Sequence, residues 1–396
     1  NVEITESATP TLSALPLRLA DFDSLASALD YAAQGESGTN FYAGSGKLAT
    51  VLPYRTLREQ AQTLAKRLLS FPLERGARVA IVAETNPDFL RFFFACQYAG
   101  LVPVALPAVI HVGGHKAYVN QLNGLLKGCR ASLAVSSSQL LPFLTEAAEG
   151  LGLQFVNAAS AFDELPLKEI SLQPSGPNET AYLQYTSGST GFPRGVIITQ
   201  ESVMANLLAS GHGLDVRPED RLVSWLPFYH DMGLVGCLLA PMATQRSIDY
   251  LDTRDFAMRP RRWLELLSSS RGTISFSPPF GYALCVRRLR PEDIAQYDLS
   301  AWRVAGIGAE PIHVELTDRF CELLAPAGFN PKSFVPSYGM AETSLALSFA
   351  PLGTGVVVDW LDGDDLADNL VATKVSPNTG SSFVRCGPIL PKHEVL

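Results

Sequence analysis

RVAIVAETNPDFLRFFFACQYAGLVPVAL, Arg78 to Leu106, is the stretch on which the fold turns. Arg78 to Ala83 is an apolar run of strand length, a helix is predicted from about Asn86 to Tyr98, and Leu101 to Leu106 is strand-like again. Two apolar strands joined through a helix make a parallel pair, buried on both faces by helices. The same rhythm continues outward. A helix near Lys116 to Lys127 precedes a strand at Ala131 to Val135, and strands recur at Leu222 to Leu226, Thr273 to Phe276, Trp302 to Ile307 and Ser333 to Ser337, each with a helical segment after it. The fold class is therefore α/β, with mostly parallel, helix-covered sheets.

The rhythm stops after about Ala350. Pro351 to Ser382 is rich in turn formers, and Asp359 to Asp368 holds five aspartates in ten residues. This reads as a loop, an insertion or a subdomain boundary. Ser382 to Cys386 and Glu394 to Leu396 read as the first strands of a new β-rich unit. An edge strand without a partner is a poor end for a domain, so the natural chain is expected to continue. The chain starts at Asn1 and is likewise expected to have lost its beginning. The division expected is 1–180 and 181–350 as two α/β subdomains, then 351–396 as the start of the β-rich part.

Composition narrows the function. Of 396 residues, 47% are hydrophobic and 18% charged, with a formal net charge of -8. That balance gives a large globular core and no basic stripe, which argues against a nucleic-acid partner and against docking on anionic lipid. No apolar run reaches the ~20 residues that span a bilayer, so no stable membrane insertion is expected. Cys96, Cys129, Cys237, Cys285, Cys321 and Cys386 are scattered without a C-x-x-C pair, which suits buried thiols in a reducing, cytoplasmic setting better than disulfides or zinc.

The chemistry is concentrated in Leu183 to Val196, LQYTSGSTGFPRGV. Thr186, Ser187, Ser189 and Thr190 supply hydroxyls among Gly188, Gly191 and Gly195, between strands expected at Thr180 to Tyr185 and Gly195 to Thr199. Glycines let backbone N–H groups approach a polyphosphate, hydroxyls donate to its oxygens, and Arg194 adds a permanent cation. A plain Ser/Gly surface hairpin is the competing reading. The stretch fits neither G-x-x-x-x-G-K-[ST] nor G-x-G-x-x-G nor G-x-S-x-G, so a P-loop kinase, a dehydrogenase and an α/β-hydrolase all lose support.

YTSGSTGFPRGV resembles the phosphate-loop signature of the adenylate-forming superfamily of acyl-CoA synthetases, luciferases and nonribosomal adenylation domains, with Arg194 where lysine is usual. Three further elements occur in that superfamily's order. WLPFYHDMGLVG (Trp225 to Gly236) resembles the element lining the acyl pocket, GAEP (Gly308 to Pro311) the element packing on adenine, and SYGMAET (Ser337 to Thr343) the Y-G-x-x-E element. HDMGL, GAEP and YGMAE together, with Gln184 before Tyr185, FAMRPRRW (Phe256 to Trp263), SPPFGYALCVRR (Ser277 to Arg288) and LSAW (Leu299 to Trp302), resemble the fatty acyl-AMP ligase branch.

The resemblance implies two pseudo-symmetric sheets in αβαβα layers, and ATP and Mg²⁺ as cofactors. The implied reaction joins a fatty acid to AMP with release of pyrophosphate, for transfer to an acyl carrier protein or a carrier domain of a polyketide or peptide synthase. By position, it assigns the phosphates to Thr186, Ser187, Gly188, Ser189, Thr190, Gly191 and Arg194. Adenine falls to Gly308, Ala309, Glu310, Pro311, Ser337, Tyr338, Gly339 and Met340, and the metal to Glu342. Neutral His230 would hold the carboxylate, and Phe228, Asp231, Met232, Leu234, Phe280 and Tyr282 would line the acyl pocket. For Phe280 and Tyr282, within the apolar run that begins at Phe276, ordinary core packing competes with the tunnel reading. The family's ribose-binding Asp and catalytic Lys are expected beyond Leu396. An acyl-CoA synthetase and a non-catalytic nucleotide-binding module are the alternatives.

Overall fold

The computed structural model describes residues 15–108, 114–186, 193–377 and 379–394. Its strands are β1 (Gly38–Tyr42), β2 (Leu48–Pro53), β3 (Arg78–Val82), β4 (Val102–Leu106), β5 (Ala131–Ser136), β6 (Phe155–Ala158), β7 (Thr180–Tyr185) and β8 (Gly195–Thr199). There follow β9 (Arg221–Ser224), β10 (Ser247–Leu251), β11 (Ile274–Ser277), β12 (Val304–Ile307), β13 (Phe334–Gly339), β14 (Ala346–Phe349), β15 (Val358–Leu361) and β16 (Ser381–Val384).

The opening stretch folds as read. β3 and β4 pair in parallel, with Arg78 opposite Val102 and Val82 opposite Leu106. Between them runs a helix, Pro87–Ala99, which Asn86 caps by accepting the Phe89 N–H at 3.1 Å. Gly100, at φ +68°, ends it in the left-handed conformation that glycine adopts without a Cβ penalty. Phe89, Leu90, Phe92, Phe93 and Phe94 are all buried, so this helix is covered on every side. Each large apolar side chain so placed contributes about 1.5–3 kcal/mol by leaving water.

Two large sheets result. One has the order β6-β5-β3-β4-β7-β8, parallel except for β8 at its edge. The other runs β14-β13-β12-β11-β9-β10-β1-β2, parallel except for β2 and β14 at its two edges. The chain is shared between them in an interleaved way. β1 and β2 belong to the eight-stranded sheet, and β7 and β8 close the six-stranded one, so strand membership does not divide at residue 180.

One local expectation needs correction: β13 is followed by a short 3-10 turn, Ala341–Thr343, and the antiparallel β14, not by an α-helix. Of the readings left open for the acid-rich segment, a bare loop falls away, since the segment contains β15 and a short helix, Gly363–Asn369. β15 is the antiparallel partner of β16, so the strand near Ser382 is paired after all. Asp359 holds this ribbon through Arg385 at 2.7 Å and Lys374 at 3.2 Å, contacts that push its carboxyl down to about 2. Glu394 lies in coil. Among the described residues no helix is long and apolar enough to cross a membrane. All six cysteines are free, and Cys96, Cys129, Cys237 and Cys285 are buried.

Candidate active site

A cavity of about 410 Å³ opens where β7 of one sheet meets the carboxyl ends of β11, β12 and β13 of the other. Clefts beyond the carboxyl ends of parallel strands are where α/β sheets bind ligands, and this volume suits a small organic ligand. The cavity has a polar rim and an apolar chamber. Tyr185, Thr186, Arg194, Ser337, Tyr338 and Glu342 stand on the rim, and Leu207, Leu214, Val235, Phe276, Leu345 and Phe349 surround the chamber. His230 and Asp231 also line the cavity.

The rim is made by backbone at strand ends. Thr186 donates its N–H to the Arg194 carbonyl at 2.9 Å, closing the base of the loop that β7 and β8 carry. Ser187, Gly188, Ser189, Thr190 and Gly191 lie outside the described residues. After β12, a Cβ on Gly308 would sit 2.5 Å from the Ser337 carbonyl oxygen, so only glycine permits this approach to β13. Ala309 follows at φ +68°, a conformation uncommon for alanine. Ser337 donates to the Ile307 carbonyl at 3.1 Å, tying the two strand ends together. Tyr338 is 51% exposed and offers a ring face at the mouth. Ser337, Gly339 and Met340 line the cavity with it, as do Gly308 and Ala309. Glu310 and Pro311 do not. They point outward, and Glu310 accepts the Phe280 N–H at 3.4 Å.

His230 stands at the head of a π-helix, Met232–Leu239. Its Nδ1 is 2.8 Å from Asp231 Oδ1, and the same oxygen accepts the Met232 N–H at 2.7 Å. The hydrogen bond to Asp231 raises the His230 pKa, against the opposing effect of desolvation. Asp231 thus shifts the ring toward its protonated form. Asp231 acts both as helix cap and as partner to the histidine. Wide π-turns recur at functional sites, and this one sets Met232, Gly236 and Ala240 along the cavity.

The expected acyl-pocket residues separate into two groups. Asp231 and Met232 line the cavity. Phe228 is core, stacked on Phe89 at 5.1 Å and edge-on to Tyr250 at 5.0 Å. Leu234 is buried away from the cavity. Tyr282 is enclosed by Trp263, Trp302, Phe320 and Phe334 and donates to the Gly306 carbonyl at 2.9 Å. Phe280 is 48% exposed, set edge-on to Trp225 at 5.6 Å. The cause is the helix Pro279–Arg288, which turns Tyr282 toward the helix Val314–Leu324 and leaves Phe280 outside. Phe256 and Trp263, from the branch-specific stretches, likewise pack on Trp225, and Trp302 packs behind them on Trp263.

The chamber walls were instead missed. Leu207, Ser210 and Leu214 come from the helix Gln200–Gly213 and its cap, and Val235, Gly236 and Ala240 from the π-helix and its cap. The spacing 207, 210, 214 was the available signal. It was hidden because that helix is buried on nearly all sides, so no stripe stands out.

Among the described residues no cluster of three or more His, Cys, Asp or Glu could cage a metal. Glu342, exposed at the rim, is a single hard carboxylate. That donor set fits Mg²⁺, which binds through one or two carboxylates plus substrate phosphates and keeps several waters.

Comparison with known proteins shows the family. The AMP-binding enzyme family matches residues 32–380. A Caulobacter vibrioides protein named as an acyl-CoA synthetase is 43% identical over 97% of this chain and 68% of its own. A long-chain-fatty-acid–AMP ligase of Mycolicibacterium smegmatis is 36% identical over 74% of this chain and 47% of its own. A solved structure from work on fatty acyl-adenylate ligases of E. coli and L. pneumophila superposes with a TM-score of 0.92 at 51% identity, covering 96% of this chain and 69% of that one. The L. pneumophila ligase in complex with acyl adenylate and pyrophosphate gives 0.85 at 26% identity, covering 94% and 65%. The chain thus spans about half to two thirds of the length of these relatives. With the family match covering most of its length, the chain belongs to the AMP-binding enzymes of the adenylate-forming class.

Proposed function

We propose that this chain is the substrate-binding body of a ligase that activates a fatty acid as its acyl-adenylate, using ATP and releasing pyrophosphate, for transfer to the phosphopantetheine of an acyl carrier protein. One observation carries the reading: one cavity joins a polar rim to an apolar chamber and includes a histidine–aspartate pair. A nucleotide site alone needs no chamber, and a fatty-acid carrier needs no rim. A Moorena producens relative, 30% identical over 93% of this chain, is named as a medium-chain-fatty-acid–carrier-protein ligase, which supports the acceptor.

In this reading the alkyl chain lies among Leu207, Val235 and Phe276, gaining about 0.8 kcal/mol per buried CH₂. His230, held by Asp231 and shifted toward its protonated form, orients the carboxylate. A carboxylate oxygen attacks the α-phosphorus of ATP, the bond from that phosphorus to the bridging oxygen breaks, and pyrophosphate departs with the electron pair. No enzyme nucleophile is needed, so positioning and charge stabilisation supply the rate. Thr186 and Arg194 face the β- and γ-phosphates, while Tyr338, with the Gly308–Ala309 backbone, seats adenine. Glu342 would hold Mg²⁺, which when bound neutralises phosphate oxygens.

The Caulobacter relative's name favours a second reading, in which CoA is the acceptor. The protein carrying this chain, incubated with Mg·ATP and radiolabelled fatty acids with and without CoA, separates the two. Acyl-AMP that accumulates regardless of CoA supports the ligase. Acyl-CoA supports the synthetase, and absence of both products defeats the adenylating reading.

A further inference from the structure

We propose that Asn206 is a positioning residue for Glu342, which it steers by clamping the strained turn that follows that carboxylate; this rests on the adenylating reading above. Asn206 lies in the helix Gln200–Gly213, is 1% exposed, and does not line the cavity. Its Nδ2 donates to the Ala346 carbonyl at 2.7 Å and to the Thr343 carbonyl at 3.0 Å, and its Oδ1 accepts the Ala346 N–H at 3.3 Å. One side chain thus grips both ends of the turn Thr343–Ala346, which begins directly after Glu342. His393 Nε2, 3.0 Å from Nδ2, closes the remaining side of the amide.

The turn needs gripping. Ser344 is at φ +70° and ψ -52°, close to the γ-turn geometry that strains any residue bearing a Cβ. Such a conformation persists only where its surroundings hold it. Thr343 Oγ1 donates to the Met340 carbonyl at 3.0 Å, the Ser344 N–H to the Ala341 carbonyl at 2.9 Å and the Met340 N–H to the Leu345 carbonyl at 2.9 Å, all local. Ser344 Oγ makes one long contact of 3.5 Å to Ser202 Oγ on the helix that carries Asn206. Asn206 supplies the main tie to that helix, with bonds of 2.7, 3.0 and 3.3 Å, and its neighbours Leu207 and Ser210 form the chamber wall. A carboxylate that must meet both a metal ion and ATP phosphates gains from being fixed against that wall, as outer groups that orient a ligand commonly do.

Asn206→Asp keeps the shape but sets a carboxylate oxygen against two carbonyls. The test is Mn²⁺ binding in the presence of ATP, read by electron paramagnetic resonance without turnover, with thermal unfolding measured alongside. Asn206→Asp is expected to weaken Mn²⁺ binding at least about tenfold, the lower end of what losing a ligand-orienting partner costs. Glu342→Gln should give a similar loss, and the double variant Asn206→Asp/Glu342→Gln should be no weaker than Glu342→Gln alone, because both act through one carboxylate. Adding Ser344→Gly to Asn206→Asp should recover part of the affinity, since glycine holds this φ without a clamp. If Asn206→Asp unfolds, Asn206→Ser, which retains one hydroxyl donor, replaces it and should show an intermediate loss. Wild-type Mn²⁺ affinity in a folded Asn206 variant, or losses that add in the double variant, would overturn the inference. Unchanged binding in Glu342→Gln would overturn the metal assignment itself, a separate failure visible in that variant alone.

Discussion

The two ends of the cavity are built by different means. The rim is made of short turns at strand ends, where backbone is held tightly enough to keep Ala309 and Ser344 at positive φ. The chamber is made of side chains from two helices and from strands β11 and β14, elements far apart in sequence. Chemistry at the rim depends on fixed groups. Capacity in the chamber depends on how much volume its walls leave. Substitutions at the rim should therefore change rate for every acid alike, whereas substitutions in the chamber should change the order in which acids are preferred.

The largest expected effect is at Glu342. Glu342→Gln removes the charge that complements a metal–phosphate complex, and acyl-AMP formation should fall by roughly 10²–10³-fold, the scale of losing a preorganised electrostatic contact. The loss should be equal for short and long acids in an ATP–pyrophosphate exchange assay. A loss confined to one chain length would break the division between rim and chamber.

Gly236 tests the other end. A Cβ there would already lie 3.2 Å from Leu345 Cδ2, so Gly236→Leu must take its volume from the chamber. Long acids should lose roughly 10–200-fold in kcat/KM relative to short ones, the range over which apolar pockets discriminate. The KM for ATP should not move. A uniform loss across chain lengths would mean that the π-helix had been distorted, not that the chamber had been shortened.

The same division explains what the sequence displayed. Rim residues sit in contiguous tetrapeptides, because one strand end delivers Gly308 and Ala309 together and another delivers Ser337 to Met340. Such groups can be read from a line of letters. Chamber residues cannot, since Leu207, Val235 and Phe349 meet only in three dimensions and each is also an ordinary core residue. Phe228, Leu234, Phe280 and Tyr282, expected on the acyl pocket, do not line this cavity for that reason: apolar character next to a motif does not distinguish a tunnel wall from the layer behind it. The sheets were legible because strands buried on both faces give continuous apolar runs. The crossing of β1 and β2 to the far sheet was not, since pairing partners are not written in periodicity.

His230 lies between the ends, and its protonation gives a smaller effect. Asp231 raises its pKa, so the imidazolium persists above the ordinary value of about 6.5. Affinity for the fatty carboxylate should be complete below that value and be lost as pH rises through the raised one. In Asp231→Asn the charged partner is gone while an oxygen remains to accept the Met232 N–H. The decline should then begin at lower pH, leaving a several-fold higher fatty-acid KM near neutrality and an unchanged KM for ATP. A pH profile of fatty-acid KM identical in the two proteins would show that the histidine does not meet the carboxylate.

The smallest effect is expected where sequence and structure disagreed most. If Tyr282 lined the chamber, Tyr282→Phe would make the wall more apolar and shift preference toward longer acids. The structure puts the ring behind the chamber, with its hydroxyl on the Gly306 carbonyl. Tyr282→Phe should then cost about 0.5–1.5 kcal/mol of stability, the net worth of one such hydrogen bond. Denaturant unfolding would register that loss, and the ranking of fatty acids by kcat/KM should be the same as in wild type. Phe280→Ala should leave the ranking unchanged as well, because nearly half of that side chain already faces solvent outside the cavity. A changed ranking in either variant would move the chamber wall one layer outward, and the boundary drawn here between tunnel and scaffold would have to move with it.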